Sequence, residues 1–236
     1  MSASTTSISK ELRAHASPAT ATILQGFFKT GPGQYGEGDV FLGIKVPPLR
    51  ALAKQHRDAD LCTISTLLDS QYHEERLFAL LLLMQFYRQV GDKEQADAYQ
   101  LYLNNTHRIN NWDLVDISAP HIVGRHLEGR PRKVLHIMAR STMLWERRIA
   151  IIATLHFIRL NDFADTLRIA GILLHDEHDL MHKAVGWMLR EVGKRDLVAE
   201  EGFLKQHYRD MPRTMLRYAI ERFPEPKRKS YLHGKV

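Results

Sequence analysis

Cysteine is nearly missing from this 236-residue chain: Cys62 stands alone, which excludes an intrachain disulfide and cysteine-rich zinc sites. Set in Asp60-Leu-Cys-Thr-Ile-Ser without an activating neighbour, it reads as a small buried hydrophobe rather than a nucleophile. Long apolar runs are missing too. The longest, residues 77–84, falls far short of the ~20 residues that cross a bilayer. The polar start Met1-Ser-Ala-Ser-Thr-Thr-Ser-Ile-Ser-Lys lacks a signal-peptide core, so a soluble, cytoplasmic protein with no membrane partner is expected. Strand signals are scarce throughout. The glycine-rich stretch at 30–39 is followed by no Gly-Lys-Ser/Thr and preceded by no strand, so it reads as a flexible connection or a phosphate-contacting surface loop, not a nucleotide site.

What is present is ordinary in amount and uneven in place. Hydrophobic residues make up 44% and charged residues 25%, which excludes global disorder. Lys and Arg number 33 against 27 Asp and Glu, a net +6. Residues 1–118 hold 11 basic and 13 acidic side chains (−2), whereas residues 119–236 hold 22 and 14 (+8). A basic half beside a near-neutral half fits a polyanionic partner, nucleic acid above all.

Apolar residues recur at spacings of three and four in block after block. Helices are expected at 7–16, 19–29, 47–56, 60–69, 74–89, 93–105, 111–125, 131–140, 144–159, 162–174, 178–194, 197–208 and 212–222, with 223–236 as a basic flexible tail. Glu75-Arg-Leu-Phe-Ala-Leu-Leu-Leu-Leu-Met-Gln-Phe86 is echoed 71 residues on by Glu146-Arg-Arg-Ile-Ala-Ile-Ile-Ala-Thr-Leu-His-Phe157. Half that offset puts first helices of successive pairs near 75, 111, 145, 180 and 212. Pairs of this period stack into an all-α solenoid with one extended concave surface. A plain helical bundle is the alternative. Without a heptad pattern, a monomer is expected.

Two clusters carry chemistry. His175-Asp-Glu-His178-Asp-Leu-Met-His182 places His178 and His182 four apart, a zinc-compatible spacing. It lacks the Glu of His-Glu-x-x-His and an evident third ligand, so no metal is assigned. In Asn110-Asn-Trp112-Asp-Leu-Val-Asp116, Trp112 and Asp116 share a helix face. Asp113 sits at the helix start, where the dipole and a capping role explain a carboxylate. Asp116 has no such explanation, and a carboxylate beside an indole is costly unless solvated or paired. Trp145-Glu-Arg-Arg148 and Lys183-Ala-Val-Gly-Trp187-Met-Leu-Arg190 repeat the pairing of tryptophan with a basic residue. All three tryptophans thus fall at one phase of the repeat, pointing to one groove rather than to three unrelated core positions.

Leu42-Gly-Ile-Lys-Val-Pro47, Asn111-Trp-Asp-Leu-Val-Asp116, Trp145-Glu-Arg-Arg-Ile-Ala150 and Ala184-Val-Gly-Trp-Met-Leu-Arg-Glu191 together resemble the AlkD family of DNA alkylation-repair glycosylases, in order, over about residues 20–222. The resemblance implies a single domain over 1–236, a right-handed α-α solenoid of HEAT-like helix pairs with a concave DNA-binding groove. It implies excision of cationic N3- and N7-alkylated purines from double-stranded DNA by N-glycosidic cleavage, without extrusion of the base and without cofactor. Asp116 matches the catalytic aspartate, and Trp112 and Trp187 the tryptophans on the deoxyribose. Arg148 matches the arginine on the DNA backbone, with Arg147, Lys183 and Arg190 as basic neighbours. A family tyrosine falls at Phe27 or Phe28, so its hydroxyl is absent here. A non-catalytic DNA-structure-binding protein on the same scaffold is the other reading, and a protein-interaction scaffold a third.

Overall fold

The computed structural model describes residues 5–236; residues 1–4, the start of the polar N-terminus, lie outside it. It is all-helical. Among the described residues no strand forms, and a single isolated bridge joins Val40 to Tyr72. The chain falls into two compact units, Met1–Ser118 and Ala119–Val236.

The first unit holds α1 (Thr5–Arg13), α2 (Pro18–Phe27), α3 (Val46–Gln55), α4 (Leu61–Leu68), α5 (His73–Gln89), α6 (Asp92–Asn104) and α7 (Trp112–Ser118). At its centre, α5 packs against α3, α4, α6 and α7. From Leu77 to Met84 every side chain of α5 is buried, as a helix apolar all round must be. Local chemistry sets the ends of its neighbours. Ser17 caps α2 through its hydroxyl, with Pro18 at the first helical position. Asp60 caps α4 by accepting from Thr63 N–H at 2.8 Å. Helix α4 turns Ile64, Leu67 and Leu68 inward. Cys62 lies on its other face and is exposed. The buried position expected for it is therefore wrong: the three-four rhythm of α4 places 62 opposite 64, 67 and 68.

The second unit holds α8 (Lys133–Met138), α9 (Leu144–Ala153), α10 (Leu155–Arg159), α11 (Ala164–Ile172), α12 (Asp179–Gly193), α13 (Leu197–His207), α14 (Arg213–Ala219) and α15 (Glu225–Leu232). Helix α12 is its hub, packed on α9, α10, α11, α13 and α14. Gly186 makes the α12–α14 approach possible, because a Cβ there would lie 2.4 Å from the Met215 carbonyl oxygen. Helix starts at 73, 112, 144, 179 and 213 follow the 35-residue phase read from the sequence.

Three expected elements differ. The helix expected over 111–125 changes register: α7 ends at Ser118 and Pro120–Gly124 forms a π turn, with Gly124 N–H donating to Ala119 C=O at 2.9 Å. Pro120 has no N–H to give to the Asp116 carbonyl, and the ladder widens past it. The helix expected over 144–159 divides at Thr154, whose hydroxyl bonds the Ile151 carbonyl at 2.6 Å. The expected tail instead carries α15, pinned by buried Tyr231 edge-on to Tyr208 and Phe223.

Candidate functional site

Helix α7 starts where Asn111, fully buried, accepts the Trp112 N–H on its side-chain oxygen at 2.9 Å. That fixes the first turn. Trp112 and Asp116, four apart, are both half-buried on one face. They border a cavity of 680 Å³ in the first unit, walled by Phe27, Phe28, Phe41 and Trp112 and edged by the carboxylates of Asp113 and Asp116. Phe28 stacks on Trp112 (5.2 Å between centroids) and on Phe41 (5.0 Å), and Phe41 stacks on His73 at 4.4 Å. Phe27 meets Trp112 edge-on at 6.0 Å, yet is 60% exposed. Both candidate positions for the family aromatic therefore touch Trp112. Lys45 and Arg50, exposed at the rim, add positive charge.

Beneath this wall lies a buried charge network that the sequence reading missed. The His73 imidazole bonds Asp39 through Nδ1 and Asp113 through Nε2, each at 2.9 Å. Arg76 donates to Asp39 at 2.5 Å and to the Asn110 side chain at 3.1 Å. Glu74 accepts three backbone N–H groups, from Leu42 (2.9 Å), Gly43 (2.7 Å) and Ile44 (3.1 Å). The Leu42–Pro47 motif is thus wrapped around a carboxylate. Gly43, at φ +82°, has to be glycine, since a Cβ there would lie 2.1 Å from the Ser17 carbonyl oxygen. Glu75 binds Arg13 at 3.0 Å and Ser70 at 2.5 Å. The missed signal was the position of His73-Glu-Glu-Arg76 at the head of a helix apolar on all sides, which obliges those charges to be buried and paired.

Burial opposes charge on His73, but Asp113 and Asp39 outweigh it and lift its pKa from 6.5 to about 9. Burial likewise opposes charge on Asp39, and the contacts of His73 and Arg76 overcome it, holding its carboxyl below the ordinary value. Asp113 is therefore no helix cap, contrary to expectation; its Oδ2 is tied to His73, and its buried Oδ1 has no hydrogen-bond partner among the described residues. The charge of Asp116 acts on the buried phenol of Tyr102, whose pKa burial raises first and this carboxylate raises as well.

In the second unit Trp187 is half-buried on α12 and donates Nε1–H to Glu191 at 3.0 Å. Trp145 is buried, a core residue and not the groove-lining one expected, because position 145 falls on the inner face of α9 with Arg148 and Ile149. Arg148 itself is 5% exposed, and its Nη1 donates to the Leu180 carbonyl at 2.7 Å. In this structure the guanidinium matched to the DNA backbone ties α9 to α12. The other expected cations are paired: Arg147 with Asp176 (2.6 Å), Lys183 with Asp179 (2.6 Å) and Arg190 with Glu221. Of the histidine cluster, His178 caps α12 through Nδ1 and His182 contacts the Asp176 carbonyl. Among the described residues no trio of His, Cys, Asp or Glu is placed to hold a metal, and no helix is long and apolar enough to cross a membrane.

The chain shares its all-helical fold with a protein of known structure. A solved structure described as a predicted DNA alkylation repair enzyme from Enterococcus faecalis superposes with a TM-score of 0.68 at 17% identity, over 89% of this chain and 98% of that one. No functionally curated protein matches the sequence. The family described as DNA alkylation repair enzyme matches residues 8–223, and the chain belongs to it.

Proposed function

We propose that this protein is a DNA glycosylase that hydrolyses the N-glycosidic bond of cationic N3- and N7-alkylated purines, of the 3-methyladenine and 7-methylguanine type, in duplex DNA. The observation that carries the reading is the placement of Asp116 one turn from Trp112, half-buried beside an aromatic-walled cavity. Alkylation leaves the purine positively charged and ready to depart. As the C1′–N bond breaks, its electron pair leaves with the base and neutralises it, and positive charge gathers on the deoxyribose. The Asp116 carboxylate stabilises that charge, and a water adds at C1′ and loses its proton. The Trp112 indole face adds quadrupolar attraction for the same charge, ~0.5–2 kcal/mol. In the second unit the proposal gives Trp187 a deoxyribose contact and gives Arg147, Arg148, Lys183 and Arg190 phosphate contacts that exchange for their present partners. No cofactor is required, and the protein acts as a cytoplasmic monomer.

The test is release of 7-methylguanine and 3-methyladenine from methylated duplex under single turnover. Asp116→Asn keeps the side chain's shape and removes its charge, so excision should fall by about 10²–10³ while DNA binding is retained. Excision by Asp116→Asn at the wild-type rate would remove Asp116 from the mechanism. A wild-type protein that binds duplex and releases no base would leave the non-catalytic DNA-structure-binding reading in its place.

A further inference from the structure

We propose that the edge of α8 and α11 in the second unit is a phosphate track that holds the backbone of duplex DNA through Arg130, Lys133 and Arg168. The proposal rests on DNA being the partner and adds a contact surface separate from the residues given to excision.

A hollow of 610 Å³ is lined by Arg130, Arg132, Lys133, His136, Asp165 and Arg168. Four of these six are permanent cations. The carboxylates within reach are already used. Asp165 gives Oδ2 to Arg132 (3.0 Å) and Oδ1 to His136 (2.7 Å), and Asp162 takes Arg132 at 2.6 Å. Glu128 is held by His156 at 2.8 Å. Arg132 is further fixed with its guanidinium 3.6 Å above the Phe157 ring. It forms the floor of the hollow, not a free hand. Lys133 and Arg168 are both exposed and have no ion-pair or hydrogen-bond partner among the described residues, and exposed Arg130 bonds only the His126 carbonyl. These three cations on one hollow repel one another, and Lys133 and Arg168 return no hydrogen bond or ion pair to the fold among the described residues. An anion resolves that repulsion.

The shape favours a polymer over a small anion. A second hollow of 550 Å³ shares Lys133 and His136 with the first and carries exposed Arg140 on to Ser141. A third, of 510 Å³, holds Arg147 against Asp176 and Glu177 and ends the run. Exposed cations therefore follow one another from Arg168 past Lys133 to Arg140 along the first two hollows, with Glu146 the one carboxylate lining the second. A lone phosphate would occupy one hollow, whereas a nucleic-acid backbone follows the two that share Lys133. These contacts position DNA and read no sequence.

The experiment uses the full chain and an undamaged duplex followed by fluorescence anisotropy over a range of salt. The variant combines Arg130→Ala, Lys133→Ala and Arg168→Ala, all exposed, with circular dichroism confirming the fold. Without these three cations to neutralise phosphates, the slope of log affinity against log salt should flatten by about 2–3, and affinity near 0.1 M salt should fall ~10-fold or more. A companion Lys133→Arg variant keeps the charge and should bind as wild type. Wild-type affinity and slope in the triple variant would overturn the proposal. Competition arms use inorganic phosphate and pyrophosphate. Tight, saturable binding of either at this hollow, with the duplex slope unchanged, would make it a small-anion site and overturn the track. Since binding of undamaged duplex needs no excision, absence of base release by the wild type refutes the glycosylase reading alone, and an unchanged salt slope refutes the track alone.

Discussion

The ion triad Asp39–His73–Asp113 makes the stability of this protein fall as the medium turns mildly alkaline, and one substitution should shrink that fall. His73 is 1% exposed and titrates at about 9 in the folded chain against an ordinary 6.5. Because the folded value is raised, the stabilisation is fully present below pH 6.5 and is lost as pH climbs to about 9. The difference of about 2.5 decades corresponds to about 3 kcal/mol, a large share of the ~5–15 kcal/mol that holds a typical domain together. Among the effects that raise the value, the charge of Asp113 comes first. In Asp113→Asn the amide oxygen still accepts a hydrogen bond but carries no charge, so the largest upward effect is lost and the His73 pKa falls, with Asp39 alone left to oppose burial. Urea unfolding at about pH 6 and about pH 9.5 reads the effect: wild type should lose up to about 3 kcal/mol between the two, and the variant less. The variant should also be the less stable at the lower pH, since the His73 cation has lost a partner. A wild-type midpoint that does not move over this range, or a His73 imidazole seen by NMR to titrate near 6.5, would refute the reasoning.

Glu200 provides a second pH effect with a different window. It is 2% exposed, its Oε1 has no hydrogen-bond partner among the described residues, and burial, aided by Glu201, raises its pKa to about 8. Stability tied to it is complete below 4.5 and is lost as pH rises to about 8. Glu200→Gln should accordingly stabilise the protein near pH 7 by on the order of 2–3 kcal/mol, checked by urea midpoints against pH. Gly186→Ala drives a methyl into the backbone of α14 and should cost about 1–3 kcal/mol, read as a lowered thermal midpoint. Phe27→Ala removes an exposed ring at the cavity mouth, so stability should change by less than about 0.5 kcal/mol while excision from methylated duplex slows; unchanged excision would detach Phe27 from the site.

How much of this was legible depended on whether a residue's partners lay near it in sequence. The starts of α9 and α12 follow from three-four apolar spacing, and the pairing of Trp112 with Asp116 follows from helical geometry alone. Asp113 was misassigned because a helix-start carboxylate has a sufficient local explanation. Its real partner, His73, lies forty residues upstream. The charged run at 225–229 looked like a solvated tail because its anchor is a single residue, Tyr231, whose partners Tyr208 and Phe223 no periodicity announces. Arg148 is the converse case. The motif marks the position, but only the fold shows that its guanidinium reaches a backbone carbonyl of α12.

The ends of the glycine-rich stretch are fastened separately. Lys29 C=O accepts Gly36 N–H at 3.0 Å, Asp39 is clamped by His73 and Arg76, and Glu74 grips the three residues from Leu42. At the tip, 31–34, the bonds stay within the loop: Gly31 N–H donates to the Gln34 side chain at 3.0 Å and Gly33 N–H to Glu37 at 2.9 Å. Chain length there is thermodynamically cheap, since doubling a flexible loop adds only about 0.6 kcal/mol of closure entropy. That tip is where this scaffold can accept an inserted reporter, a tether or new chain ends while the aromatic wall around Trp112 stays in register.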